Sequence, residues 1–290
     1  MLKETFRNSG IFGKLLLLFV TYFFLSLLGL ALIRVLFGNS AEISILKINQ
    51  LILSVFMLLL PPVICGYFWY EKPLEAYSLH LLPSARQVIL AILLIFSISP
   101  LINLLAYINE QMVLPAFLSE LENQFREMED SAAVLTRQML NVNSTGGLLF
   151  NLLVIAMMPA FGEELFCRGA LQNIFSENRN KYVAVWIVAI IFSLIHFQMY
   201  GFLPRMVLGA ILGYLLVWSG SLWLPIIVHF VNNATIVLVS YFGAGNTAVE
   251  TWENLGKAET WGFGMASAVV SVVILWMIYR IQNSKLKTQN

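Results

Sequence analysis

Apolar runs of about twenty residues, separated by short polar breaks, dominate the chain. A helix needs about 20 largely apolar residues to cross the hydrocarbon core of a bilayer. By that measure the sequence predicts spans at approximately 15–37, 48–70, 87–108, 148–175, 182–200, 204–220, 222–242 and 262–280. The sixth and seventh are divided only by Ser219-Gly220-Ser221. One stretch, 109–146, breaks the rhythm. In it Leu118, Leu121, Phe125 and Met128 recur at helical spacing, with Glu120, Glu122, Arg126, Glu127 and Asp130 between them. That alternation describes an amphipathic helix lying on a surface rather than crossing it. The expected fold is an all-α polytopic membrane protein, with about eight transmembrane helices in one bundle. Residues 1–290 would form a single transmembrane helical domain, with 109–146 as an amphipathic non-cytoplasmic insertion.

Composition sharpens this. Charged residues make up 11% of the 290 and hydrophobic ones 59%, where soluble domains carry roughly 25% charge. The net charge of +1 offers no electrostatic footprint for nucleic acid, so the expected partner is the lipid bilayer. Cys65 and Cys167 both lie in apolar sequence, which argues against a disulfide framework. The basic N-terminus (Lys3, Arg7, Lys14) precedes an apolar run too long for a signal-peptide core, and the first span reads as retained. Cationic residues then orient the bundle. With the N-terminus inside, Lys3, Arg7, Lys14, Lys72, Arg86, Arg168, Arg179, Lys181, Arg280, Lys285 and Lys287 fall on cytoplasmic segments. Arg34, Lys47, Arg126, Arg137, Arg205 and Lys257 fall on the other side. The bias places both termini in the cytoplasm.

Within this apolar background sit three polar intrusions. The first is Glu163-Glu164-Leu165-Phe166-Cys167-Arg168, preceded by an uncharged run from Leu148 to Gly162. A mid-bilayer charge costs at least ~2.5–3.5 kcal/mol on insertion scales and is retained mainly for function. The second and third are Phe192-Ser193-Leu194-Ile195-His196 and His229-Phe230-Val231-Asn232-Asn233. Counting from the 176–181 turn at ~1.5 Å per residue puts Glu163 roughly 18 Å deep and His196 roughly 21 Å deep. Counting from Leu222 puts His229 and Asn233 roughly 10 and 16 Å deep. Antiparallel helices can therefore bring all four to one layer. Glu164 and Arg168 are i, i+4 and predict an ion pair. Glu163 points about 100° away and has no sequence-local partner, the situation of a general base. Phe192 with His196, and His229 with Asn233, each share a helical face. Asn232 falls off the His229 face and takes no assigned role. Pro159, four residues before Glu163, should loosen the fourth span.

Glu-Glu-x-x-x-Arg, then Phe-x-x-x-His, then His-x-x-x-Asn, in this order and on apolar spans, resembles the CPBP family (CAAX proteases and bacteriocin-processing enzymes, the Abi family). The close resemblance covers residues 145–240, with 148–242 as the expected catalytic core. It implies an intramembrane endopeptidase acting on a membrane-associated protein or peptide, either a prenylated CAAX-type C-terminus or a leader peptide. It implies a bundle in the cytoplasmic membrane of a bacterium, with a site opening to the cytoplasmic leaflet. By position, Glu163 and His196 would activate water. His229 and Asn233 would stabilise the oxyanion. Glu164 and Arg168, with Phe192 beside them, would support the site.

Two questions stay open at this stage. His196, His229 and a carboxylate could hold zinc, but Glu163 cannot readily be both ligand and base, and no His-Glu-x-x-His occurs. A mechanism requiring no cofactor is favoured, with zinc possible. The same fold could also serve as a non-proteolytic immunity or scaffold protein. A proton-coupled transporter could likewise place Glu163 and His196 at mid-membrane, though no symmetry-related pair of broken helices supports one.

Overall fold

The computed structural model describes residues 2–177, 179–243 and 246–289. Of the residues used for orientation, the side chains of Lys285 and Lys287 lie outside those described. The described residues contain no strand, and the protein is an all-α membrane protein. Seven helices are long and apolar enough to cross a bilayer. These are α1 (Ile11–Phe37), α2 (Ile43–Trp69), α3 (Ala85–Glu110), α5 (Thr145–Ser176), α7 (Phe202–Ser219, within the span Met199–Ser219), α8 (Trp223–Phe242) and α9 (Trp261–Gln289, within the span Ala258–Ile281). Between them lie α4 (Ser119–Leu140) and α6 (Lys181–Leu194). On the outer face of the bundle, side chains such as Phe12 (79% exposed) and Val35 (83%) point outward. In a membrane, hydrocarbon rather than water solvates them.

The expected fifth span, 182–200, is shorter than its hydropathy implied. α6 ends at Leu194 after 14 residues, and Phe197 takes a left-handed conformation (φ 54°). His196 therefore sits in the turn after the helix rather than on its face. The α7–α8 boundary is unambiguous. Gly220 adopts φ 67° and donates its N–H to the Leu216 carbonyl at 2.9 Å, a left-handed cap that favours glycine. Ser221 and Leu222 then tie this turn to the loop after α2, donating to the carbonyls of Leu81 and Ser78.

Prolines set local geometry throughout. A proline within a helix removes one N–H and crowds the preceding turn. In α2 the strain is taken up by a π segment, Ser54–Leu59, just ahead of Pro61 and Pro62. In α5 the π segment Leu152–Met157 precedes Pro159 in the same way. In α3, Pro100 opens the ladder and α9 repairs it. Ser267 Oγ accepts the Leu101 N–H at 3.2 Å and donates to the Ser97 carbonyl at 2.5 Å. Neighbouring helices commonly re-satisfy such freed groups inside a bilayer.

Between α6 and α7 the close approach depends on glycine. A Cβ on Gly209 would lie 3.2 Å from Phe192 Cδ1 and 3.4 Å from Ala189 Cα, and one on Gly213 only 2.9 Å from Val185 Cγ1. The amphipathic α4 crosses one end of the bundle, where the Arg126 guanidinium stacks 4.2 Å from the Tyr200 ring centroid. Tyr200 belongs to the short turn Met199–Gly201 leading into α7.

Candidate active site

The two glutamates stand at the junction of a regular stretch of α5, Met158–Glu164, with a second π segment, Leu165–Leu171. Single π turns occur often at functional positions. Both glutamates lie in the regular stretch, and the π segment carries Arg168, which reaches back to Glu164. Arg168 Nη1 donates to Glu164 Oε1 at 2.7 Å, and both side chains are 0% exposed. Arg168 Nη2 donates to the Gly209 carbonyl of α7 at 2.7 Å. One turn on, Gln172 Nε2 donates to the Gly213 carbonyl at 3.3 Å. Two side chains one turn apart on α5 thus read two carbonyls one turn apart on α7. The missing side chains at Gly209 and Gly213 expose those carbonyls.

Glu164 is not occupied by Arg168 alone. Its Oε1 also accepts from His229 Nδ1 at 2.8 Å. Because a carboxylate only accepts, this bond places the Nδ1 proton and turns Nε2 toward the cavity. His229 Nε2 stands 3.8 Å from Glu163 Oε2. Glu163, whose side chain is 19% exposed, looks into a cavity of about 310 Å³ that is also lined by His196, His229, Asn232, Asn233 and Arg205. His196 Nδ1 donates to the Phe192 carbonyl at 2.6 Å, which again leaves Nε2 as the free ring nitrogen. The Phe192 ring lies among the charged groups. Arg168 Cζ is 4.8 Å from its centroid, and the His196 and His229 rings meet it edge-on at 4.9 and 6.2 Å.

The structure thus brings Glu163, His196, His229 and Asn233 to one cavity, with Glu164, Arg168 and Phe192 behind them. It also corrects the sequence reading in several places. Asn232 lines the cavity after all. It is three residues from His229, and i, i+3 neighbours share a face as surely as i, i+4 ones. Its Nδ2 donates to Asn233 Oδ1 at 3.3 Å, so the Asn233 amide group turns its own N–H donors elsewhere. Arg205, counted above only among the cations of the non-cytoplasmic side, is a cavity residue in the first turn of α7. The signal was present, since it is the one charge in Met199–Ser219. The Glu164–His229 bond joins helices 65 residues apart, and no local spacing could announce it. The cavity reaches the α6–α7 turn, with Gly201, Pro204 and Arg205 in its wall.

Residues 145–235 match the family described as Rce1-like: Type II CAAX prenyl endopeptidase Rce1-like. The matched segment contains all three polar intrusions. The uncharacterized protein YpbD of Bacillus subtilis (strain 168) is similar to the chain as well, 26% identical over 88 residues. That alignment covers 29% of this chain and 42% of YpbD, so the chain spans less than half the length of that relative. No solved structure matches.

The matched segment contributes every cavity residue named above, and the helices before it supply packing such as Ile95. Gly162, next to Glu163, is pressed against the α2 π segment. A Cβ there would meet Leu58 Cβ at 2.9 Å. As for a metal, no three His, Cys, Asp or Glu side chains among the described residues converge as a ligand set. Both histidines give Nδ1 to oxygen acceptors and keep Nε2 for the cavity, an arrangement that serves a ligand and a hydrogen-bonding group alike. No step below runs through a metal.

Proposed function

We propose that the chain is an intramembrane endopeptidase that hydrolyses a peptide bond of a membrane-associated protein or peptide with a glutamate-activated water. The observation that carries this reading is the convergence of Glu163, His196, His229 and Asn233 on one cavity inside an apolar bundle. In the proposed step, Glu163 accepts a proton from water while the water oxygen bonds to the scissile carbonyl carbon. His196 Nε2 accepts the second water hydrogen as a hydrogen bond and so orients the lone pair. The carbonyl oxygen becomes an oxyanion, met by His229 Nε2–H and Asn233 Nδ2–H. His229 serves as the imidazolium, with Glu164 as its counter-ion. Collapse breaks the C–N bond, and the proton on Glu163 passes to the leaving nitrogen. The products are a carboxylic acid and an amine.

Glu164 and Arg168 hold this arrangement. A free His229 would have several rotamers, and the Glu164 bond selects one and favours the charged ring. Positioned donors of this kind supply much of the catalytic power in acyl transfer, each worth ~10²–10³ in turnover. The proposed setting is the cytoplasmic membrane of a bacterium, with both termini on the cytoplasmic side.

The test uses the purified full chain in detergent with two lipid-anchored peptide substrates, one ending in a prenylated CAAX-type sequence and one carrying a bacteriocin-type leader. Cleavage is run in ¹⁸O-water. Wild type should release product carrying ¹⁸O at the new carboxylate from at least one peptide, and Glu163→Gln should release none while keeping the wild-type melting temperature. Equal product from both proteins, or none from wild type on either peptide, would overturn the reading.

A further inference from the structure

A second recess shares a residue with the catalytic cavity. A groove of about 580 Å³ runs between α4 and the α6–α7 turn, and His196 stands in its wall as well as in the wall of the cavity. Whatever fills the groove therefore lies against a group that the proposed reaction uses. On one side Glu127, Met128 and Ser131 line it, positions that share a helical face. On the other side stand three consecutive residues, His196, Phe197 and Gln198. Regular helix or strand does not turn three consecutive residues to one side, and the left-handed Phe197 (φ 54°) does so here. A separate face of α4 fastens it in place. Arg126 Nη2 donates to Glu122 Oε1 at 2.7 Å and to the Met112 carbonyl at 3.4 Å, and Glu122 Oε2 accepts the Leu114 N–H at 2.9 Å. Glu127 is the one carboxylate in the groove wall, and no Lys or Arg stands beside it there. The neighbouring Arg126 is already paired with Glu122, so Glu127 has no ion-pair partner within 4.0 Å among the described residues. Gln198 Oε1 accepts from Arg205, which leaves its Nε2 donors for an occupant.

We propose that this groove is the subsite for the extended segment of substrate that flanks the scissile bond, and that Glu127 selects a basic residue in that segment. The inference rests on the endopeptidase reading and deepens it by naming a specificity-determining residue. The groove follows α4 from residue 124 to 132, about 12 Å of helix. That length takes roughly three to four residues of extended chain. Ser131 and Gln198 offer hydrogen bonds to its backbone, and Met128 and Phe197 offer apolar contact. Because groove and cavity meet at His196, the segment leads directly to the carbonyl under attack. Glu127 is exposed, so its selectivity is modest and screened by salt.

The test measures binding to the full chain carrying Glu163→Gln in a neutral detergent, so that no turnover is needed. The probes are N-palmitoyl peptides of one apolar sequence in which a single lysine is moved position by position, with glutamine and glutamate peptides as references. At one position lysine should bind about threefold tighter than glutamine, the scale of one exposed ion pair, and high salt should erase the difference. Glu127→Gln should level the series, and Glu127→Lys should transfer the preference to the glutamate peptide. Ser131→Trp fills the groove from an exposed position. It should weaken every peptide about tenfold and keep the parent melting temperature. A charge-blind series, a lysine preference that survives Glu127→Gln, unchanged binding in Ser131→Trp, or no binding of any peptide would overturn the assignment. If Ser131→Trp lowers the melting temperature, the charge exchange at Glu127 carries the decision. Charge-selective binding without cleavage by the Glu163 chain would sink the endopeptidase reading alone. Cleavage with charge-blind binding would sink only the role of the groove.

Discussion

At the scale of single residues, the amides of α8 give the most direct test of how the cavity works. Asn233 is proposed to donate to the oxyanion, and Asn232 to orient it through the 3.3 Å bond to Asn233 Oδ1. Asn233→Ala should lower kcat by ~10²–10³ with little change in KM, as removal of one oxyanion donor does. Asn232→Ala should cost less, and the double variant should be no worse than Asn233→Ala alone. Additive losses in steady-state kinetics would separate the two roles. Arg168 makes a different prediction. It is buried at 0% exposure with Glu164, and removing one partner of such a pair leaves an uncompensated charge at a cost of ~3–5 kcal/mol. Arg168→Ala should therefore lose thermal stability as well as activity, and an unchanged melting temperature would contradict the pairing.

At the scale of elements, the bundle's irregular helices follow from specific breaks and specific repairs. Ser267 of α9 is the repair for Pro100 of α3. Ser267→Ala should leave the Leu101 N–H unsatisfied in an apolar setting and cost ~1–3 kcal/mol, read as a lower melting temperature. Pro100→Ala lets α3 restore its own ladder, so Ser267→Ala should cost much less in that background. Equal losses in both backgrounds would show that Ser267 acts through packing alone. The α5–α7 seam obeys the same logic in reverse. There it is the glycines that open carbonyls to Arg168 and Gln172, and a side chain at Gly213 would collide with Gln172 and Val185.

At the scale of the whole molecule, the polar lining of the cavity comes from four segments brought together by the bundle: α5, the α6–α7 turn, α7 and α8. α4 lies across the same end, held to the turn through Arg126 and Tyr200. Since the donors in this cavity do not form a three-ligand set among the described residues, activity is expected to survive chelation. Incubation with 1,10-phenanthroline or EDTA, followed by dialysis, should leave turnover within about twofold, well inside the tenfold that 1.4 kcal/mol represents. Loss on chelation with recovery on adding zinc would return His196 and His229 to the role of ligands.

What the chain alone determined was local and periodic. Hydropathy found the spans, because crossing hydrocarbon demands about 20 apolar residues in a row. The charges at Glu163, Glu164 and Arg168 stood out for the same reason, and the i, i+4 spacing anticipated the Glu164–Arg168 pair that the structure contains. Tertiary structure decided everything that depends on contacts between helices. It ended α6 two residues before His196, because a left-handed turn at Phe197 has no hydropathy signature. It gave Glu164 a second partner in His229, and it turned Arg205 from a boundary charge into part of the cavity wall. Periodicity shows which side chains share a face of one helix. Only packing decides which face of another helix they meet.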